Sequence, residues 1–461
     1  MVQITKSSTI TSMPYPTLLA TPDSYGLLTD LYQLTMVSCY AGEGLADRRA
    51  SFELFTRRLP PSYGYLIAMG LAQAIDYLNN LRFSERHLEA LRQTGLFDHA
   101  PDEFWQRLAE GGFTGDVWAV PEGTAVFANE PLLRVEAPLW QAQIAETYLL
   151  NTLNYQTLVA TRAARLRDVA GPTATLLEFG TRRAFSPQGA LWAARAAMAA
   201  GLDGTSNVLA AVQLGHRPAG TMAHALVMVF TALEDSEDKA FAAFQRYFPG
   251  AALLIDTYDT VAAAKRLAAA GTPVAAVRLD SGDLVALSKA VRSHLPTTKI
   301  LASGDLDEYE IARLQRAGAT IDGYGLGTKL VTGEPVNGVY KLVDIDGIPV
   351  MKEASGKTTL PGRKQIFRRY AGGQAVGDRL GLLEDTAAPD ETPLLQLVVK
   401  QGQAIQELES LEAIAARTAA SVASLPANLR QLEHPATYGV ALSDALVDLA
   451  ARTRQHPPAQ P

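Results

Sequence analysis

Short apolar runs, each closed by a small or polar cluster, recur through the middle of the chain. Leu176–Phe179 precedes Gly180-Thr181-Arg182, and Leu253–Ile255 precedes Asp256-Thr257-Tyr258-Asp259. Val274–Leu279 precedes Asp280-Ser281-Gly282-Asp283, and Ile300–Ala302 precedes Ser303-Gly304-Asp305. Ile321 leads into Gly323-Tyr324-Gly325-Leu326-Gly327-Thr328. Apolar runs of this length bounded by turn residues predict buried strands. Helical segments follow several of them. Ser186-Pro187 is a helix start, since serine caps and proline is tolerated at the first position, and the alanine-rich run after it reaches Gly201. Asp259 to Ala270 has the same form and stops at Gly271, and Asp305 to Ala317 stops at Gly318.

Strand, polar loop and helix in repetition predict parallel β/α units. Polar residues stand at every strand end, as at the mouth of a barrel; an open doubly wound sheet would concentrate them at one or two crossover points. The expected fold class is α/β, with an irregular parallel β/α barrel over 155–340. The flanks differ. Ser51–Phe55, Gly115–Val120 and Leu132–Val135 read as strands, as do Gly338–Val343 and Leu394–Lys400. Leu139 to about Arg167 lacks proline and glycine and reads as one uninterrupted helix; Ser410–Ala419 and Pro426–Glu433 also read as helical. An α/β domain built from both ends of the chain, 23–154 with 341–461, is expected beside the barrel. Residues 1–22 are expected to be a disordered leader, and His456–Pro461 a loose tail.

Composition narrows the class. At 461 residues the chain is long enough for two or three domains and a large core. Its net charge of -7, with acids and bases mixed, argues against non-specific nucleic-acid binding, which needs a clustered basic face. Cys39 is the only cysteine, so neither an intramolecular disulfide nor a thiolate metal cluster is available. The leader lacks the apolar core of a signal peptide, and no run of about 18 apolar residues suggests a membrane span. A cytoplasmic protein is expected.

Five segments carry candidate chemistry. In Val277-Arg278-Leu279-Asp280-Ser281-Gly282-Asp283 a strand delivers a guanidinium and two carboxylates to one loop. The planar donor fork of arginine suits a carboxylate or phosphate. Asp280 and Asp283 suit ribose hydroxyls or Mg²⁺, although Asp283 could equally cap the next helix. Gly325-Leu326-Gly327-Thr328-Lys329 allows close backbone approach to a phosphate or forms a tight turn, and it is not a P-loop. Ser303-Gly304-Asp305 is a turn into a helix whose N-terminus could face an anion. Gly220-Thr221-Met222-Ala223-His224 delivers a histidine, competent as a nucleophile toward phosphorus if it is not merely structural. Glu178-Phe179-Gly180-Thr181-Arg182-Arg183 suits a flat ring beside a phosphate, or a core aromatic with surface arginines.

Taken in order, these motifs resemble the nicotinate phosphoribosyltransferase family. The likeness runs from about Leu27 to Val343. It includes Thr29-Asp30-Leu31-Tyr32-Gln33-Leu34-Thr35-Met36, Phe52-Glu53-Leu54-Phe55, Gly204-Thr205-Ser206-Asn207 and Gly338-Val339-Tyr340-Lys341-Leu342-Val343. The resemblance implies a homodimer with its active site at the subunit interface. It implies that nicotinate attacks phosphoribosyl pyrophosphate, with Mg²⁺ as cofactor and ATP as co-substrate. By the same resemblance His224 takes phosphate from ATP. Tyr32 of the partner subunit and Phe179 sandwich the pyridine ring, Arg278 holds the carboxylate with Thr221 near the ring, and Arg182 meets phosphate. Asp280 and Asp283 contact ribose or Mg²⁺, while Ser303, Gly304, Gly327 and Thr328 bind the 5-phosphate. The related nicotinamide phosphoribosyltransferase carries aspartate where this chain has Ser206. A carboxylate there would repel an acid substrate, so serine implies the acid. Quinolinate phosphoribosyltransferase, whose substrate needs a more basic pocket, and a non-catalytic nucleotide-binding barrel are the remaining alternatives.

Overall fold

The computed structural model describes residues 18–271, 273–354 and 357–455. Most of the expected leader and the whole of the expected tail therefore lie outside the described residues.

Six parallel strands form the central sheet. Their spatial order is Gly204–Thr205, Thr175–Glu178, Gly323–Leu326, Lys299–Ala302, Ala276–Leu279 and Leu253–Leu254. Laid flat, six strands would hold their edges about 24 Å apart, at roughly 4.8 Å per spacing. Yet the Ala219 N–H donates to Thr205 O on one edge, and the Thr221 hydroxyl donates to Ala252 O on the other. Two residues of chain reach only about 7 Å. The sheet therefore curls, which brings its two edges toward each other across 219–222.

Helices return on the outside of this sheet as the patterning requires. Ser186 caps Pro187–Ala199 by accepting from Gly189 N, and Asp259 caps Thr260–Ala269 by accepting from Ala262 N. The expected start at Asp305 is two residues early. Gly304 and Asp305 both take positive φ, so the turn consumes Leu306 as well, and Asp307 caps Glu308–Arg316.

Strands from both ends of the chain share one antiparallel sheet. Arg49–Thr56 pairs with Gly338–Ile345 on one side and Pro131–Pro138 on the other, while Gln396–Lys400 pairs with Asp116–Ala119. A further sheet brings together Glu391–Pro393, Lys364–Ala371, Gln374–Leu382 and Val440–Leu442. Its main strands were not expected, because charge interrupts their apolar pattern. Each buried charge is paired: Arg368 Nη2 lies 2.6 Å from Asp378 Oδ2, and Lys364 Nζ lies 2.8 Å from Glu53 Oε2.

The expected helix from Leu139 is two, Leu139–Ile144 and Glu146–Ala170, broken at Ala145, whose N–H reaches Gln141 O only at 3.4 Å. The second spans both cores. Tyr148, Leu149, Leu153 and Leu158 pack with the antiparallel sheet; Val159, Ala160, Ala163 and Leu166 pack with the curled one. Pro426–Glu433 is not a helix. It makes only isolated turns, such as Leu429 N to Pro426 O, and Arg430 is drawn away to Asp168.

Candidate active site

The residue after each strand decides what faces the curled sheet's C-terminal rim. Several of these residues remain held by ladder hydrogen bonds: Phe179 N to Leu326 O (2.7 Å), Ser206 N to Glu178 O (2.9 Å) and Ser303 N to Leu279 O (2.9 Å). They are consequently fixed in position before any ligand arrives. Phe179, Arg182, Ser206, Thr221, His224, Arg278 and Asp280 line one cleft of about 650 Å³.

Arg278 is the centre of its electrostatics. The side chain is only 13% exposed. Burial pushes the guanidinium below its ordinary range, while Asp280 and Asp256 oppose that shift and Arg182 adds to it. Nη2 donates to Met222 O at 3.1 Å, Nη1 stands 4.0 Å from Asp280 Oδ1, and Nε is buried with no partner among the described residues. A buried cation with an unused donor is a place for an anionic group.

Asp280 is held from two sides. Ser303 donates its hydroxyl to Oδ1, and the Asp280 N–H donates to Asp256 Oδ2 at 2.8 Å. Ser281 also donates to Asp256 Oδ2, at 2.9 Å, which leaves Asp256 Oδ1 buried and unpartnered among the described residues. His224 is the first residue of the helix His224–Glu234. Its Nε2 lies 3.9 Å from Asp280 Oδ2, and its Nδ1 lies 3.0 Å from Thr257 Oγ1.

Other expected residues do not line this cleft. Asp283 does not line the cleft; its Oδ1 accepts from Val285 N and Ala286 N and caps the next helix. Ser303 is buried against Asp280. Gly304 has φ +95°, and a Cβ there would collide with the Asp280 carbonyl. Gly325 is no phosphate loop. It lies inside the strand Gly323–Leu326, and a Cβ would meet the Phe179 ring at 2.5 Å. Gly327 and Thr328 follow that strand, and Ser303, after the neighbouring strand, lies beside Gly325. Tyr32 sits in the first turn of Leu31–Gly42, away from the cleft of its own chain and 47% exposed. Glu178 is buried, with a raised pKa caused by burial, and accepts from Thr205 and Gly180 N instead of facing the cleft.

Sequence reasoning gave no role to Asp256 or Thr257, although both stand at a strand end like the residues it chose. It also missed Phe244 and Phe248, whose rings lie 5.2 Å apart on the cleft wall. Their spacing of four residues is that of any amphipathic helix and carries no signal. No group of three or more His, Cys, Asp or Glu among the described residues is arranged to hold a metal. Mg²⁺ commonly needs only one or two carboxylates when phosphates complete its shell. Asp280 fits that part, and Asp283 does not.

Three family models match the chain. They are the nicotinate phosphoribosyltransferase N-terminal domain over 27–154, the nicotinate phosphoribosyltransferase family over 174–371 and its C-terminal domain over 385–450. The pncB2 nicotinate phosphoribosyltransferase of Mycobacterium tuberculosis is 43% identical over 445 residues, covering 93% of this chain and 94% of its own. That of Bacillus subtilis is 43% identical, covering 79% and 77%. The crystal structure of human nicotinic acid phosphoribosyltransferase superposes with a TM-score of 0.79 at 32% identity, covering 92% of this chain and 99% of that one. No described helix is long and apolar enough to cross a membrane.

Proposed function

The chain belongs to the nicotinate phosphoribosyltransferase family, and from that premise we propose how its cleft works. The pyridine nitrogen of nicotinate attacks the anomeric carbon of phosphoribosyl pyrophosphate; the new C–N bond forms as the C–O bond to pyrophosphate breaks. The observation that carries this reading is the buried Arg278, with its unused Nε, in one cleft with the Phe179 ring. Phe179 stacks on the pyridine, Arg278 takes its carboxylate, Thr221 lies beside the ring, and Ser206 leaves the acid unopposed. Stacking adds about 0.5–1.5 kcal/mol to the ring's burial.

Departure of pyrophosphate leaves positive charge on the sugar and negative charge on the leaving group. Donors fixed beforehand stabilise both without reorganising. Asp280, held by Ser303 and Asp256, faces the ribose, and Arg182 faces phosphate. The loop ends Ser303-Gly304 and Gly327-Thr328, on neighbouring strands, receive the 5-phosphate. Mg²⁺ on Asp280 would offset the charge of the pyrophosphate when bound. ATP is the co-substrate, and His224 accepts its γ-phosphoryl group.

Tyr32 has no place in the cleft of its own chain, which supports its delivery from a partner subunit. Exposed Val208, Leu209 and Val212 follow Ser206 on one helix, and exposed Met228, Val229 and Leu233 follow His224 on another. Apolar surface of this kind beside a site suits a homodimer contact. Charged, phosphorylated substrates accord with a cytoplasmic setting. The test is a paired assay of pyrophosphate release with nicotinate and with nicotinamide, each with and without ATP. Turnover with nicotinate, faster when ATP is present, is expected. Preference for the amide would favour the related amide-using enzyme, and no release with either would favour a non-catalytic nucleotide binder.

A further inference from the structure

His224 has two ring nitrogens in different surroundings. Nε2 is turned to the cleft, 3.9 Å from Asp280 Oδ2, beyond hydrogen-bonding distance. Nδ1 is turned to Thr257, 3.0 Å from Oγ1, and Thr257 does not line the cleft. Only a nitrogen carrying its lone pair can attack phosphorus. Neutral imidazole has one such nitrogen, and the hydrogen bond at the other nitrogen selects which.

Resting on the reading of His224 as the acceptor of phosphate from ATP, we infer that Thr257 is a positioning residue that sets the tautomer of that histidine. Its Oγ1 accepts the Nδ1–H, so the Nε2 lone pair faces the cleft. The step then balances. The Nε2 lone pair forms the N–P bond, the bond from the γ-phosphorus to the bridging oxygen breaks, and ADP leaves with that electron pair. The proton stays on Nδ1, held by its hydrogen bond to Thr257 Oγ1, so no base is needed to remove it. The opposite polarity, with the hydroxyl donating to Nδ1, would put the proton on Nε2 and cover the nucleophile.

The placement is built from distant parts of the chain. His224 is the first residue of its helix, after the N-cap Ala223, which offers no side-chain cap. Thr257 follows the edge strand Leu253–Leu254 on a segment anchored by Ile255 N to Arg278 O, 3.3 Å. A β-branched residue keeps few side-chain rotamers, which holds Oγ1 where Nδ1 needs it.

The test compares full-length wild type with Thr257→Val, which keeps the shape and removes the oxygen, and Thr257→Ser, which keeps the oxygen. In ¹⁵N-histidine-labelled protein, nitrogen-detected spectra distinguish the tautomers, with His224→Ala assigning the signal. The expected wild-type state is Nδ1–H. Thr257→Val should move it toward Nε2–H and slow labelling of the protein by γ-³²P-ATP at least tenfold, with an unchanged KM for nicotinate, and Thr257→Ser should restore both. A wild-type His224 protonated on Nε2, or a Thr257→Val enzyme with an unshifted tautomer, would overturn the inference. Labelling that survives His224→Ala would instead overturn the phosphate-acceptor reading, while the spectra still decide the role of Thr257.

Discussion

The ring of Phe179 occupies the space that a side chain at position 325 would need: a Cβ on Gly325 would stand 2.5 Å from its Cε2. Two strands that pair in parallel thus divide one volume between an aromatic ring and a hydrogen atom. Gly325→Ala should push the ring into the cleft at a cost typical of overpacking, about 1–3 kcal/mol. Steady-state kinetics should show the KM for nicotinate rising roughly tenfold or more while the KM for ATP changes less. Equal effects on both would mean that Phe179 does not select the pyridine.

Arg278→Gln keeps a donor but removes the charge. Hydrogen bonds to charged groups are worth about 1.5–3 kcal/mol, so kcat/KM for nicotinate should fall roughly 10- to 150-fold. Arg278→Lys should recover little, since a point charge does not reproduce the fork. A fall for phosphoribosyl pyrophosphate alone would assign Arg278 to phosphate instead.

Ser206→Asp would set a second carboxylate in the pocket proposed for nicotinate. Repulsion of several kcal/mol at short range predicts loss of acid turnover by about two orders of magnitude, with nicotinamide affected far less. Competition assays with both substrates give the ratio directly. An unchanged ratio would show that Ser206 does not face the carboxylate.

A pH effect is expected far from the cleft. Glu130 and Asp378 share one buried cation, Arg368, whose Nη2 lies 2.6 Å from Asp378 Oδ2 but 3.9 Å from Glu130 Oε2. Burial first, and then Asp378, push the Glu130 pKa well above 4.5. Its folded value exceeds its unfolded one, so the stability it contributes is complete below about pH 4.5 and is lost as pH rises through the folded value. Glu130→Gln should flatten that decline in urea titrations between acid and alkaline pH. A mutant with the wild-type slope would refute it.

Much of the candidate site was legible because its residues follow apolar runs: Arg278, Asp280, Phe179 and Ser303 all stand at or just after strand ends. What stayed hidden depends on distance in the chain. Thr257 meets His224 across 33 residues, and nothing local marks the pair. Gly325 misled because a glycine cleared for a neighbouring ring looks the same in sequence as one cleared for a ligand. Arg368 and Lys364 hid two strands, since their partners Asp378 and Glu53 become evident only once the chain is folded. Pro426 promised a helix, but its segment is tied down by side chains instead.

The helix Glu146–Ala170 gives the molecule a common spine. Losing either core would strand half of its apolar face in water, so neither lobe can melt without undermining the other. Calorimetry should therefore record one endotherm, despite a length at which separate transitions are usual. Damage remote from the cleft, such as truncating Leu149, would then be felt as lost heat tolerance of the whole enzyme.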